Sequence, residues 1–469
     1  MSLIAAGLVT YSQTAAFAWD EGYHLLAAQL ILAGKRPYLD FLFPQTPLNT
    51  YSNAFWLWIF GGAWRAPHAV AALMTAAATL MAADFVLARM PVVRWRFAAA
   101  ITTAIAVGLN VVVVKFGTVG QAYGLCLFFC VAAFRLSVAA VGKRSLFLTG
   151  LAGLCAGAAA GSTLLASAVV PVLLVWIAWN NRAGSRWGKA VAYVTGVTIA
   201  FLPLLRLFVE SPRHVFFSVI EYQFLYRNLR WTSATMNNIS VLLSWIDCAH
   251  ALILGLLGGA GILFLRNCDW DQPRRAEFYL CGWLALALGL HISTAHPTFS
   301  RYYLLLVPFL GILAAVGVYA LSSRLCPSRG PLLPASGVAL LLLAGLGRML
   351  FEDRDDFRWS DFAPMLAKVE EVTPRNAVLF ADEHIYVLSG RQPPSGMELM
   401  DSHKLILPGD FAARLHVVTD AGLKRQILAG TFDTVQTCAD TERVEGWQLK
   451  KVYAKHAEFD ECTVFWEKR

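Results

Sequence analysis

The sequence has 469 residues, of which 57% are hydrophobic and only 15% charged, and its mean hydropathy is +0.54. Because an average soluble domain is about one quarter charged, this composition excludes an ordinary soluble globular protein. The residues before Leu350 include 24 Lys and Arg against 10 Asp and Glu, whereas the tail has 15 against 21. The basic residues lie in short loops between apolar runs, which is typical of membrane topology, so we expect no nucleic-acid partner.

Eleven apolar runs approach the roughly 20 residues needed to cross about 30 Å of hydrocarbon. They are residues 1–18, 67–88, 97–114, 120–141, 146–164, 166–179, 190–209, 240–264, 278–291, 302–321 and 332–350. The Gly- and Ala-rich stretch 146–179 can be counted as one long span or as two short ones. The sequence therefore predicts an all-α polytopic membrane domain over residues 1–350, with about 11 transmembrane helices.

Alternate short loops between these runs carry 13 Lys and Arg residues. The excess of positive charge in cytoplasmic loops assigns those five loops to the cytoplasm. The loops 19–66, 210–239 and 292–301 then face the outside of the membrane. The tail should be extracytoplasmic as well, provided that the number of spans is odd.

The tail, residues 351–469, has the pattern of a small soluble α/β domain. A helix is predicted up to Glu371 and another at 421–428, and strands are predicted at AVLFAD, DTVQTC, KKVYAKHAEF and ECTVFWEK. No catalytic motif stands out in the tail, which favours an accessory role. Its two cysteines, Cys438 and Cys462, could bridge neighbouring strands in an oxidising compartment.

Acidic residues are scarce enough in the first 350 residues to be considered one by one. The acids on the predicted outer side are Asp20, Glu21, Asp40, Glu210 and Glu221, and Asp247 lies within a span. The pair Asp20-Glu21 follows the first span and precedes an apolar helix that ends at Gly34. Asp20 has two interpretations, a helix cap and an acid–base group, and the two can coexist.

Basic and aromatic residues alternate in the later outer segments. The set consists of Tyr222, Tyr226, Arg227, Arg230, Trp231, Arg301, Tyr302 and Tyr303. Such residues are usually anchors at the membrane–water interface. The alternative is that the arginines converge on the phosphate of a lipid.

The first outer loop resembles a known enzyme family. The stretch from Trp19 to Leu48, WDEGYHLLAAQLILAGKRPYLDFLFPQTPL, is similar to the GT-C membrane glycosyltransferases. The branch concerned includes the rhizobial lipopolysaccharide sugar transferases, the protein O-mannosyltransferases and the lipid A aminoarabinose transferase. The shared features are an acidic pair after the first span, an interfacial helix, a Pro-rich turn (here Pro44 to Leu48) and a segment that closes at Phe60-Gly61. The match extends to about Ala88.

The resemblance implies an inverting glycosyltransferase, of hexosyl or pentosyl type, that acts on the outer face of a bacterial inner membrane. The donor would be a polyprenyl-phosphate-linked sugar and the acceptor a hydroxyl of a glycan, lipid or protein. Asp20 would act as the catalytic base, with Glu21 beside it. The remaining predicted site residues, for substrate and lipid phosphate, are Lys35, Arg36, Gln45, Glu221, Tyr222, Arg227, Arg230, Arg301 and Tyr302.

Two departures from the family pattern bear on this assignment. Gln45 stands where many relatives have a lysine in the Pro-rich turn, and Gln121 stands in a loop that often carries an aspartate. Glu21, Glu221 or His24 could each supply a metal ligand, but they form no convincing cluster in the sequence. A divalent metal is therefore possible but not predicted, and activity that survives a chelator is expected. The other functional readings are a transporter or flippase of lipid-linked glycans and a catalytically silent family member.

Overall fold

The apolar runs of the sequence form long helices, and the tail forms a small sheet with short helices. The computed structural model describes residues 2–18, 20–180, 186–228, 231–328, 330–356, 358–438 and 441–469. The helices of the first half are α1 (Ser2–Thr14), α2 (Glu21–Leu32), α3 (Leu48–Ile59), α4 (Arg65–Arg89), α5 (Arg96–Gly108), α6 (Val111–Phe116), α7 (Tyr123–Lys143), α8 (Leu146–Ser162), α9 (Val169–Asn180), α10 (Arg186–Glu210), α11 (Pro212–Phe216) and α12 (Tyr222–Asn228).

The second half continues with α13 (Trp231–Asp247), α14 (Ala249–Asn267), α15 (Gln272–Ser293), α16 (Val307–Leu325), α17 (Leu332–Glu352), α18 (Trp359–Val372), α19 (Glu383–Ser389), α20 (Gly409–Arg414), α21 (Asp420–Leu428), α22 (Thr441–Trp447) and α23 (Leu449–Val452). The strands are β1 (Leu379–Phe380), β2 (Thr434–Thr437), β3 (Tyr453–Phe459) and β4 (Cys462–Lys468). A π-helical turn covers Phe217–Glu221, and 3₁₀ turns cover Ser300–Leu306 and Met400–Lys404, among others.

Seven of the described helical segments are long and apolar enough to cross a membrane. They contain α4, α7, α10, α14, α15, α16 and α17 and coincide with seven of the predicted runs. The other four runs fall on the shorter helices α1, α5, α8 and α9. The chain is an integral membrane protein, and the count of about 11 spans stays a prediction.

The chain divides into two structural units. The first unit consists of Met1–Ser12, His68–Leu204 and Arg230–Arg354, and the second of Gln13–Pro67, Leu205–Leu229 and Asp355–Arg469. The second unit therefore combines the first predicted outer loop, a middle loop and the tail. The predicted boundary at residue 350, by contrast, separates the tail from everything before it, and this domain assignment stays a prediction.

Small residues allow very close helix packing in the first unit. A Cβ on Gly261 of α14 would overlap the carbonyl oxygen of Leu313, and one on Gly317 of α16 would overlap that of Leu257. Glycines on both sides let the two backbones touch, which is the usual way in which membrane helices associate. The fully buried Phe85, Phe134 and Phe309 fill the interior beside them.

The second unit has a four-stranded sheet in the order β1-β2-β4-β3. β1 pairs parallel with β2, and the other two pairings are antiparallel. Phe380, Val435 and Phe465 form its core with Trp447 and Ile427. All four predicted strands of the tail are confirmed, with somewhat different bounds.

A disulfide joins two neighbouring strands of this sheet. Cys438 follows β2 and Cys462 begins β4, and their sulfur atoms are 1.99 Å apart. The bridge proposed from the sequence is thus confirmed. Because a disulfide restricts the unfolded chain, it stabilises the sheet against opening from this end.

Candidate active site

The acidic pair of the first loop lies at the start of α2, and its two members differ. Asp20 occupies the N-cap position, but its side chain makes no capping hydrogen bond with the described part of the helix. Glu21 is fully buried, and its carboxylate accepts a hydrogen bond of 3.1 Å from the backbone N–H of Ala18. Glu21 therefore stabilises the turn into α2, whereas the Asp20 carboxylate has no capping role.

The first turn of α2 packs directly against the first turn of α19, from the tail. A Cβ on Gly22 would lie 3.1 Å from the backbone nitrogen of His384 and 3.2 Å from the Cβ of Glu383. Only glycine allows this approach without a displacement, so the sequence Asp-Glu-Gly has a structural reason for its third residue. The contact brings the tail to the acidic pair within the second unit.

Glu383 adds a buried carboxyl group beside the pair. Burial raises its pKa from 4.5 to about 8, and the negative charges of Asp382 and Asp401 act in the same direction. The backbone N–H of Met400 donates a hydrogen bond of 2.7 Å to its side chain, which opposes part of this shift. Glu383 is thus mainly a neutral carboxylic acid at pH 7 and can donate a hydrogen bond as well as accept one.

Tyr222 marks the point where the three segments of the second unit meet. It follows the π-helical turn, a feature common at functional sites, and is only 5% exposed. Burial is the main reason why the pKa of its phenol is raised, and the nearby charges of Asp401, Glu383 and Asp20 add to the effect. Asp20, Glu383 and Asp401 therefore lie close enough to one tyrosine to act on it electrostatically, although they come from distant parts of the sequence.

Tyr226 extends this cluster. Its ring stacks on Tyr222 with the centroids 5.9 Å apart, and its hydroxyl donates to the Asp401 carboxylate at 3.4 Å. Lys404 forms an ion pair with the same carboxylate. The cluster thus offers carboxylates, phenol groups and a cation, the groups that bind and deprotonate hydroxyls.

The predicted phosphate-binding residues have different partners. Arg36 pairs with Asp40 at 3.1 Å and with Glu210 at 3.2 Å, and Glu221 pairs with Arg213 at 2.6 Å. These two site residues therefore take part in ion pairs within the second unit.

Two further cations of the second unit remain candidates for binding a phosphate. Lys35 is half-buried and lowers the pKa of Glu398, although burial dominates and raises that pKa to about 7. Arg227 is half-buried near the end of α12.

Three predicted residues do not belong to the described second unit. Arg301 and Tyr302 lie in the first unit, where the Arg301 guanidinium is 4.2 Å from the ring centroid of Phe299 and 5.5 Å from that of Tyr302. Such contacts suit an interfacial anchor. Arg230 lies outside the described residues.

The Pro-rich turn is fixed by two hydrogen bonds to its backbone. The Tyr38 hydroxyl donates to the carbonyl of Gln45 at 2.7 Å, and the Gln223 amide donates to that of Pro44 at 2.7 Å. The Gln45 side chain is half-buried. Gln223 lies in α12 between Tyr222 and Tyr226 of the cluster, so the turn and the cluster are connected.

A metal would find few ligands in the described residues. Asp382, His384 and Cys438 offer atoms within 4.8 Å of one another, but the sulfur of Cys438 is in the disulfide. Burial lowers the pKa of His24 to about 3, so its imidazole is neutral, yet Glu21 and Glu221 already bind other groups. Among the described residues, Glu21, His24 and Glu221 thus do not form a group that could hold a metal ion.

Glu383, Asp401 and Tyr226 were missed as site residues by the sequence analysis. Signals for two of them were present, because Tyr226 belongs to the aromatic–basic set of the sequence and Glu383 comes shortly after a predicted strand. Ligands bind near the carboxyl ends of parallel strands, and β1 belongs to the parallel pair. For Asp401 we find no such signal.

Comparison with solved structures identifies the fold. The chain superposes on the crystal structure of ArnT from Cupriavidus metallidurans bound to undecaprenyl phosphate with a TM-score of 0.69 and 14% identity, covering 99% of this chain and 97% of that one. For the apo state of the same protein the TM-score is 0.67 at 15% identity, with the same coverage. The chain has the fold of the GT-C membrane glycosyltransferases.

The fold predicted from the first loop is thereby confirmed, since ArnT is the lipid A aminoarabinose transferase of that branch. No family profile matches the chain, and no curated protein matches it by sequence. The agreement is therefore one of architecture over nearly the whole length of both chains.

Proposed function

We propose that the protein is an inverting glycosyltransferase that moves a sugar from a polyprenyl-phosphate donor to a hydroxyl acceptor. The observation that carries the proposal is the cluster in which Asp20, Glu383 and Asp401 lie near the stacked Tyr222 and Tyr226. The fold supports it, since ArnT has been crystallised with undecaprenyl phosphate. The membrane helices and the basic loops support transfer on the outer face of a bacterial inner membrane.

Asp20 acts as the base in this proposal. Its carboxylate takes the proton of the acceptor hydroxyl while the hydroxyl oxygen attacks the anomeric carbon of the donor. The bond between that carbon and the phosphate oxygen breaks, and the lipid phosphate leaves with the electron pair. Attack from the side opposite the leaving group inverts the configuration of the sugar.

The departing phosphate needs positive charge, and Lys35 and Arg227 are candidates in the second unit. Both are half-buried, and both lie in the unit that holds the cluster. Arg36 suits the role less well, because two carboxylates already neutralise it. Arg301 and Arg230 stay candidates on the basis of the sequence alone.

Glu383 complements Asp20 in this scheme. As a neutral acid at pH 7 it can donate a hydrogen bond to a sugar hydroxyl, while Asp401 and Tyr226 accept and donate others. The tail then belongs to the substrate site and is more than an accessory domain.

The test is sugar release from defined polyprenyl-phosphate sugars by purified protein, followed by mass spectrometry. Asp20→Asn should reduce turnover about 10²- to 10⁴-fold, as expected for loss of a general base. Asp247→Asn is the matched control, because Asp247 lies in the first unit at the end of α13. Equal turnover of Asp20→Asn and wild type would refute the assignment of the base, and no turnover in either would favour the transporter or the silent member.

A further inference from the structure

A cavity lies between the last turns of two membrane helices of the first unit. α14 and α16 run side by side and touch at Gly261 and Gly317, where neither has a side chain. Further along both helices, towards their last turns, the larger side chains of Phe264 and Leu321 follow. A cavity of about 470 Å³ opens there.

The cavity is amphipathic. Its apolar wall consists of Ala260, Leu263, Phe264, Ala320 and Leu321, and its polar rim consists of Arg266, Asn267 and Arg324. The two arginines lie in the last turns of α14 and α16 and are exposed. Among the described residues, the guanidinium groups of Arg266 and Arg324 have no hydrogen-bond or ion-pair partner.

Aromatic side chains locate this cavity at the level of the lipid headgroups. Trp270 packs on Phe264 with the ring centroids 5.6 Å apart, and Tyr319 packs on Phe264 at 5.5 Å. Trp95 adds a further contact with Tyr319 at 5.3 Å. Trp and Tyr concentrate at the membrane–water interface, so the arginines lie at the depth of lipid phosphates and the apolar wall at that of the acyl chains.

We propose that this cavity binds the phosphate headgroup of an anionic membrane phospholipid. The headgroup would lie between the guanidinium groups of Arg266 and Arg324, which suit the oxygen atoms of a phosphate. One acyl chain would pack along Leu263 and Leu321. Each arginine also complements the negative end of its helix, but that role does not require a cavity between the two.

The apolar wall decides between a lipid and a free ion. Inorganic phosphate would contact the arginines alone and leave the wall exposed, whereas a phospholipid fills both parts. Basic pockets between transmembrane helices are known to hold anionic headgroups. The basic loops assign this end of the two helices to the cytoplasmic side, where a separate lipid site would not compete with the proposed transfer reaction.

The experiment uses the purified full chain, depleted of lipid in a neutral detergent, and native mass spectrometry with titrated phosphatidylglycerol or phosphatidylcholine. We expect saturable binding of phosphatidylglycerol and much weaker binding of phosphatidylcholine. The double variant Arg266→Gln and Arg324→Gln should weaken the phosphatidylglycerol affinity about tenfold or more. The control is Arg94→Gln with Arg186→Gln, which removes the same charge from exposed positions outside the cavity.

A second variant separates the cavity from the charge. Ala260→Trp keeps both arginines but fills the space between the helices, so it should also abolish saturable binding. Retained binding in Ala260→Trp, or an equal loss in the control variant, would show that surface charge alone attracts the lipid and would overturn the proposal. Saturable binding of inorganic phosphate that equals the binding of phosphatidylglycerol would overturn it in favour of an ion site.

Discussion

Replacing Glu383 by Gln should change how the stability of the protein depends on pH. Glu383 is buried, and its pKa rises from 4.5 in the unfolded chain to about 8 in the folded protein. The folded state therefore holds the proton more tightly than the unfolded state. This contribution to stability is complete below pH 4.5 and is lost as the pH rises through about 8. Gln keeps the shape and the acceptor for Met400 but has no proton to lose.

The size of the effect follows from the two pKa values. One pH unit between them corresponds to about 1.4 kcal/mol, so the interval from 4.5 to about 8 gives an upper value of about 5 kcal/mol above pH 8. The free energy of unfolding of Glu383→Gln should therefore equal that of wild type near pH 4.5 and exceed it increasingly up to pH 8. Asp382 and Asp401 act on this carboxyl, which itself acts on Tyr222, and none of these three residues is altered.

The assay is thermal or denaturant unfolding of the purified protein in detergent, from pH 5 to pH 9. Glu370→Gln is the control, because Glu370 is exposed on α18 and should leave the pH profile of wild type unchanged. Glu398, whose pKa is raised to about 7, contributes a pH dependence of its own that all three proteins share. If the free energies of unfolding of Glu383→Gln and wild type differ by the same amount over the whole pH range, Glu383 is not a buried neutral acid.

Three further predictions concern the second unit. Gly22→Ala should lower the free energy of unfolding by about 1–3 kcal/mol through overpacking against α19, and it should also reduce turnover in the sugar-release assay. The control is Gly255→Ala, which should change neither, because a Cβ there meets no atom within 4 Å. Replacing Cys438 and Cys462 by Ser should lower the stability of the tail by about 3 kcal/mol, given their separation of 24 residues, and limited proteolysis of the tail should become faster. Gln45→Lys should lower the KM for the lipid donor through a new phosphate contact, whereas an unchanged KM would mean that the turn does not face the phosphate.

The membrane helices and the tail strands could be predicted from the sequence because each depends on a local pattern. Long apolar runs identified seven helices that are long and apolar enough to cross a membrane, and alternating or β-branched segments identified all four strands. The run at 97–114 shows the limit, since α5 ends at Gly108 and Asn110 caps a separate helix, α6. Periodicity does not register such an interruption within an apolar run.

The candidate site could be predicted only in part, because it depends on contacts between distant segments. Asp20 and Tyr222 could be predicted as candidates, since a motif and an aromatic–basic cluster marked them, and their roles stay a prediction. Asp401 lies in a loop without a motif, and it joins the site only through the folding of the tail onto the first loop. That Arg36 and Glu221 are occupied by ion pairs likewise follows from partners that sequence proximity does not reveal.

The composition of the second unit from three separated segments has a consequence for the biosynthesis of the protein. Asp20 and Asp401 contribute to one cluster, yet the ribosome makes the second long after the first. At about 5–20 residues per second, the first loop waits roughly 20–80 s for its partner from the tail. During that time Asp20 lacks the carboxylates of the tail, and α2 lacks helix α19, which later packs against Gly22. The cluster therefore cannot form before the tail has been synthesised.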